Sequence, residues 1–357
     1  MSFAGMLGDA TKSLNRFVIN NFQDKDRQEV IDLLLGKMSH QSPVAIHDPV
    51  HDSIATEMKA RLSEYSQKVQ IDVFVGTYNL NGKLPSEQPL DPWLCFDKDV
   101  PEPDMYMIGF QEIVELTPKQ IAVTDENKRR IWEREIEKTI NRRGGARYVQ
   151  LRSVQLVGTS LMIYVKEQNA PFIRNVECTM KKTGLRGMAG NKGAIAIRMD
   201  YFETSLCFVT AHLASGQENL QSRNDDYQTI NNGIAFTRGR NIAGHDIILW
   251  CGDFNYRVDL DNNQIRALAS QGNYFEIFRC DQLKRSIDYG EAFYGYKEGI
   301  IGFAPTYRYD LGTNNYDTSE KNRAPAWTDR ILYRGRGIYQ TSYDRAEMWT
   351  SDHRPGE

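Results

Sequence analysis

The sequence predicts an α/β fold in which hairpins and helical crossovers are mixed. Apolar runs of strand length recur along the chain, among them Val73–Val75, Met105–Ile108, Leu206–Val209 and Ile247–Trp250. Charged runs of helical length and periodicity lie between several of them. Two further strand-like runs, 147–156 and 159–165, are parted only by Val157–Gly158, a link short enough to favour an antiparallel hairpin.

Residues 13–22 precede a helical run in which Val30, Ile31, Leu33, Leu34 and Leu35 lead to Gly36, a C-cap residue. A polar loop with Ser42, Pro43, His47, Asp48 and Pro49 follows, then a second helix expected over 53–67. Strands follow at 73–81, closing on Asn79 and Asn81, and at 105–112, closing on Gln111–Glu112. A helix over 124–143 turns Ile131, Trp132 and Ile136 to its apolar side and stops at Gly144–Gly145. After the hairpin, 169–175 forms either a loop tip exposing Phe172 and Ile173 or the start of a buried strand. Residues 181–193 mix glycines with cations and read as a flexible loop, because glycines let backbone N–H groups approach an anion closely. A strand then ends at His212, helices are expected over 219–238 and 264–270, and Pro325–Arg330 leads into the apolar Ile331–Tyr333.

The strand endings carry the functional signal. Five segments finish in Asn79, Glu112, His212, Asp253 with Asn255, and Asp352 with His353, and endings of one polarity are expected to gather in one cleft. At strand spacing Asp253 and Asn255 would project together; a strand end followed by an Asx turn is the other reading of the same residues.

Composition narrows the partners. The formal net charge is −3, so no global basic field draws the chain to nucleic acid or membrane, and anion binding must be local. Five scattered cysteines without a CxxC pair argue for reduced thiols in the cytosol and against zinc. The longest apolar run, around Leu161–Val165, is far short of the about 20 residues of a membrane-spanning helix.

These segments, in this order, resemble the inositol polyphosphate 5-phosphatase family, within the larger group that includes deoxyribonuclease I and the abasic-site endonucleases. The two signatures of that family match Trp250–Arg257 and Pro325–Arg330, with Thr328 standing where many members carry Cys. The resemblance covers roughly residues 70–355. It is strongest to the synaptojanin-type members, because 13–36 resembles the tail of the Sac-type phosphoinositide phosphatase domain that precedes the 5-phosphatase domain there.

The resemblance implies a four-layer sandwich of two packed mixed β-sheets with helices outside. It implies that 1–68 is a helical extension from an upstream Sac-type domain and linker, and that 69–357 is the catalytic domain, with either a truncated or an artificial C-terminus: members continue with another strand after Pro355, which Gly356–Glu357 does not match. It implies Mg2+-dependent removal of the 5-phosphate from phosphatidylinositol 4,5-bisphosphate, related phosphoinositides or inositol polyphosphates by direct attack of water. Glu112 and Asn79 are then the metal residues; a hard ion that keeps several waters needs few protein ligands. Asp253 orients and activates the water, Asn255 holds the phosphoryl group, His353 donates to it and is steered by Asp329, His212 makes a second phosphate contact, and Asp352 lies near the metal. Tyr307, Arg308, Lys321 and Arg323 match the group that grips the phosphate at inositol position 4. Lys182, Arg186, Asn191 and Lys192 belong to the loop read as covering the ring. His40, His47, His51 and His245 have no such company and receive no role. The expected protein is a cytoplasmic monomer in peripheral contact with a membrane surface, with Met188 adding to the apolar edge of Phe172 and Ile173.

Two rival readings share these residues. A nuclease of the same scaffold would use Asn79, Glu112, Asp253, Asn255 and His353, but predicts a broad basic groove that the net charge does not support. A catalytically silent lipid-binding module would tolerate loss of Glu112 or Asp253, yet both are in place.

Overall fold

The computed structural model describes residues 16–22 and 49–357, apart from 62–63, 65–66, 86–87, 96–99, 123 and 143. The strands are β1 (Arg16–Phe22), β2 (Lys68–Asn79), β3 (Met105–Gln111), β4 (Tyr148–Leu156), β5 (Thr159–Lys166), β6 (Ile173–Thr183), β7 (Ala189–Tyr201), β8 (Thr204–His212), β9 (Ile247–Asp253), β10 (Lys297–Glu298), β11 (Asp329–Gly335) and β12 (Ile338–Gln340). They form two six-stranded sheets, ordered β12-β1-β2-β3-β5-β4 and β10-β11-β9-β8-β7-β6. Each sheet contains one parallel pair, β2–β3 and β8–β9, joined to antiparallel neighbours.

Alternation along the strands explains the layering. In β2, Val73 and Val75 enter the apolar layer between the sheets, while Phe74 faces outward and meets Trp93, ring centroids 6.5 Å apart. In β9, Leu249 and Cys251 point inward, and Ile248 and Trp250 outward under the helix Leu220–Gly233. Strands covered on both faces read as unbroken apolar runs, which is why these segments stand out in the sequence. A Cβ on Gly109 would come within 2.5 Å of Thr210 Oγ1 and 2.8 Å of Cys251 Sγ, so glycine there lets β3 approach the opposite sheet just below the strand ends.

Several expectations change. Arg16–Phe22 is a strand, paired antiparallel with β2 from Arg16↔Phe74 to Phe22↔Lys68 and with β12. Part of the extension read over 1–68 therefore belongs to the sheet. The helical run ending at Gly36, and His40 and His47, lie outside the described residues. The second helix runs over Pro49–Ala60, starting at the proline whose fixed φ suits a first helical turn. In the helix Asn127–Asn141, Trp132, Ile136 and Ile140 are buried at four-residue spacing, whereas Ile131 is 38 % exposed and turns away from the core. The helix expected to reach Arg238 stops at Gly233, where Ile234 is extended.

Residues 181–193 are a hairpin rather than a loop. Lys181↔Ala194 and Lys182↔Gly193 continue the β6–β7 ladder, and a short helical turn, Gly184–Gly187, joins the strands. Phe172 ends a 3-10 turn, 45 % exposed and stacked on Phe202 at 4.6 Å, while Ile173 opens β6. At the other end of the chain Gly356 exchanges backbone hydrogen bonds with Thr77 of β2, at 2.9 and 3.0 Å.

Candidate active site

The carboxyl ends of β2, β3, β8 and β9 lie side by side at one edge of the packed sheets. Because β2–β3 and β8–β9 are parallel, Asn79 pairs with Gln111 and His212 with Asp253 at the same level. β11 runs the other way, so its first residue, Asp329, lies opposite Asp253. The fifth segment is not a strand end. Ser351–His353 is irregular backbone, tied in by a bridge between His353 and Tyr307 and by Ser351 Oγ donating to Asn79 O at 2.7 Å.

A cleft of about 1150 Å³ opens here. Asn79, Glu112, Asn191, Lys192, His212, Asp253, Asn255, Tyr307, Arg308, Lys321, Arg323, Asp352 and His353 line it. Asp329 stands behind His353 rather than in the wall, and Lys182 is exposed on the hairpin and does not line the cleft. The side chain of Arg186 lies outside those described.

Asp253 is 2 % exposed and fully engaged. Asn79 Nδ2 donates to Oδ2 at 2.9 Å, His212 Nε2 lies 3.3 Å from the same oxygen, and the Asn255 backbone N–H donates to Oδ1 at 3.1 Å. Burial alone would push this carboxyl up. The hydrogen bond and charge of His212, with the charges of His353 and Lys192, overcome burial and hold it well below the usual carboxylate range. The Asx turn and the shared projection are thus one device: Asn255 has φ 58, so the chain turns immediately after β9 and brings the carboxamide beside the carboxylate.

Asn255 is locked in turn. Its Nδ2 donates to Leu213 O at 3.1 Å, and its Oδ1 accepts from Arg257 Nη2 at 2.6 Å, leaving one amide N–H toward the cleft. The Arg257 guanidinium lies 4.5 Å from the Tyr307 ring centroid, and Tyr307 lies 4.7 Å from the His353 ring. Arg257, a cleft residue absent from the expected set, was visible at the end of the first signature.

His353 Nδ1 lies 2.9 Å from Asp329 Oδ2. That oxygen also accepts from Thr306 Oγ1 at 2.8 Å and Thr328 Oγ1 at 2.9 Å. The pairing assigns the Nδ1 proton and leaves Nε2 for the cleft. Burial would depress the imidazole; the charge and hydrogen bond of Asp329, with the charges of Asp253 and Asp352, raise it to about 10. Thr328 stands inside the second signature, but nothing in its spacing, or in that of Thr306, marks either hydroxyl as a donor to a buried carboxylate.

The remaining charges divide the cleft. Glu112 follows β3 at φ 50, a left-handed conformation that costs about 1–2 kcal/mol for a side chain of this kind. Its carboxylate accepts no hydrogen bond from a described residue, and His212 Nε2 lies 3.9 Å from its Oε1. Asn79 Oδ1 accepts the Asn81 N–H at 3.0 Å and keeps a second lone pair. An unengaged carboxylate beside a neutral oxygen fits a hard divalent ion. Lys192 Nζ contacts His212 Nε2, and burial lowers its pKa against the pull of Asp253 and Glu112. Asp352 Oδ2 pairs with Arg308 Nε at 3.2 Å.

The sequence matches Endonuclease/Exonuclease/phosphatase family 2 over residues 76–356. It is 49 % identical to inositol-1,4,5-trisphosphate 5-phosphatase 1 of Schizosaccharomyces pombe, across 99 % of this chain and 33 % of that protein. It is 37 % identical to human synaptojanin-1, across 98 % of this chain and 26 % of that protein. The chain thus spans a third or less of the length of these relatives. The crystal structure of the inositol polyphosphate 5-phosphatase domain of SPsynaptojanin, in complex with inositol (1,4)-bisphosphate and calcium ion, superposes with a TM-score of 0.81 at 46 % identity, covering 87 % of this chain and 89 % of that one. With its fold, its strand-end cleft and both signatures in place, the chain belongs to the endonuclease/exonuclease/phosphatase family, in its synaptojanin-type inositol polyphosphate 5-phosphatase branch.

Proposed function

We propose that this chain is a Mg2+-dependent phosphatase that removes the 5-phosphate from phosphatidylinositol 4,5-bisphosphate and related phosphoinositides or inositol polyphosphates. One observation carries the reading: the residues around Asp253 and the Asp329–His353 pair open onto the same cleft as Tyr307, Arg308, Lys321 and Arg323. A nuclease has no use for that last set. The inositol bisphosphate held by the SPsynaptojanin domain supports it further.

The reaction cleaves the bond between phosphorus and the inositol 5-oxygen, and water supplies the new oxygen. Asp253 is strongly held as the anion, so its part is to orient the water more than to store its proton. The free amide N–H of Asn255 and the Nε2–H of cationic His353 donate to phosphoryl oxygens as charge builds there. His212, 3.3 Å from Asp253 Oδ2, makes a second phosphate contact, and Lys192 lies against it. Glu112 and Asn79 would hold the divalent ion, whose chemistry when bound is to polarise the phosphoryl oxygen and stabilise the leaving oxygen. Tyr307, Arg308, Lys321 and Arg323 grip the 4-phosphate and so fix which phosphate faces Asp253.

The catalytic unit is read as 69–357 with β1 added to its edge. It is read as a cytoplasmic monomer. Contact with the lipid surface is read at the exposed Phe172 and Met188.

Phosphate release with Mg2+ from phosphatidylinositol 4,5-bisphosphate vesicles, from inositol 1,4,5-trisphosphate and, as nicking, from abasic DNA separates the readings. Release from either inositol compound, lost in Glu112→Gln, supports the phosphatase. Cleavage of the DNA alone supports the nuclease, and vesicle binding without turnover supports the silent module.

A further inference from the structure

We propose that Arg266 is a positioning residue that sets substrate selectivity from behind the cleft wall, by fixing the backbone of the loop that carries Lys321 and Arg323. The inference rests on the reading of those two cations as the grip on the 4-phosphate.

Arg266 lies in the second turn of the helix Asn262–Ser270, which Asp261 caps by accepting the N–H groups of Asn263 and Gln264 at 2.9 and 3.3 Å. Its side chain does not line the cleft. It reaches the far side of the 316–323 loop instead. Nη2 donates to Asp317 O at 2.8 Å, Asn322 Oδ1 at 2.9 Å and Arg323 O at 3.1 Å, and Nη1 donates to Tyr316 O at 3.3 Å. Nε donates to Asn262 Oδ1 at 2.9 Å, which aims Asn262 Nδ2 at Asn322 O, 2.6 Å away. One planar guanidinium thus ties both ends of the loop to one helix, a task suited to its fixed fork of donors and not to a lysine.

The start of the loop is docked elsewhere as well: the Asp317 N–H donates to Arg308 O at 2.9 Å, and Thr318 N and Oγ1 donate to Asp310 Oδ1 and Oδ2 at 3.1 and 2.7 Å. Lys321 and Asn322 are exposed, and Asn322 is left-handed at φ 39. Inside the loop, Asp317 accepts the N–H groups of Ser319 and Arg323 at 3.1 and 2.8 Å. These bonds shape the turn, and among the described residues the hydrogen bonds that tie its 322–323 end to a neighbouring element come from Arg266 and Asn262. Without Arg266, ordering Lys321 and Arg323 around a dianion falls to the binding step. The loss is confined to substrates that carry a phosphate for them to hold.

The test uses the full chain with Mg2+ and measures kcat and KM on inositol 1,4,5-trisphosphate and on inositol 1,5-bisphosphate, which lacks the 4-phosphate. Hydrogen exchange of the amides at 319–323 is followed alongside. For Arg266→Gln, kcat/KM is expected to fall at least about tenfold on the trisphosphate, mostly through KM, and less than about twofold on the bisphosphate. The loop amides should exchange faster. Arg266→Lys should show the same selectivity at smaller size, and it serves if the glutamine variant does not fold. Equal losses on both compounds, no loss on either, or unchanged exchange would overturn the proposal. A native chain that releases phosphate from neither compound sinks the phosphatase reading and the selectivity role with it, while the exchange data still decide whether Arg266 holds the loop.

Discussion

Asp253 and Asp329 occupy directly paired positions on the adjacent antiparallel strands β9 and β11, yet they face different partners. Asp253 is surrounded by Asn79, His212 and the Asn255 N–H, and looks into the cleft. Asp329 is surrounded by Thr306, Thr328 and His353 and acts one step behind it. Strand pairing sets two carboxylates side by side, and their hydrogen-bond partners give them separate tasks.

The Asp329–His353 pair makes a prediction in pH. The imidazole is raised from 6.5 to about 10, so His353 stays charged through neutrality. Its contribution to stability is fully present below 6.5 and is lost as pH rises through about 10. Activity should hold over the same window and fall on its alkaline side. In Asp329→Asn, burial is left without its counter-charge. The alkaline limb of the kcat profile should then move down toward the ordinary histidine range, with kcat near neutrality reduced about 10²–10³-fold.

Thr328 gives a sharper test of the buried carboxylate. Thr328→Val removes a donor to Asp329 Oδ2, whose companion oxygen Oδ1 is already buried without a partner among the described residues. Loss of one donor to a buried charge costs about 1–3 kcal/mol. Denaturant unfolding should show that decrease, while Thr328→Cys should be milder.

His245 predicts acid sensitivity away from the cleft. Its Nδ1 lies 3.2 Å from Ile242 O and its Nε2 accepts from Arg198 Nε at 3.3 Å. Burial first, and the Arg198 and Arg240 charges, lower its pKa against the pull of the backbone bonds to Ile242 and Asn241. A depressed histidine contributes stability above its ordinary value that is lost as pH falls through the folded one. Unfolding free energy should drop as pH falls from 7.5 to 5.5. His245→Gln should flatten that drop, and an unchanged slope would discount the residue.

What the sequence discloses follows from burial. β3, β5 and β9 are covered on both faces, so their residues form unbroken apolar runs, and their polar endings announce the cleft. The partnership of Asp253 and Asn255 is legible, although a turn rather than strand alternation creates it. β1 is not legible, because its partners β2 and β12 both lie far from it in the sequence, β12 more than three hundred residues away. The hairpin at 181–193 hides behind glycines that suit a loop equally well. Arg266, Thr306 and Arg257 act through hydrogen bonds to backbone or to other side chains. Such bonds leave no periodic trace; only Arg257 stood in a recognisable motif.

The identity of the product decides most about this chain. Inositol 1,4,5-trisphosphate incubated with the chain and Mg2+ can be followed by phosphorus NMR, beside Glu112→Gln and Asp253→Asn. The expected outcome is one equivalent of inorganic phosphate with inositol 1,4-bisphosphate left behind, and rates lowered at least about 10²-fold in both variants, with the unfolding curve of Glu112→Gln near native. Release of the 1- or 4-phosphate, or full activity in either variant, would mean that the cleft at the strand ends is not where this phosphate ester is broken.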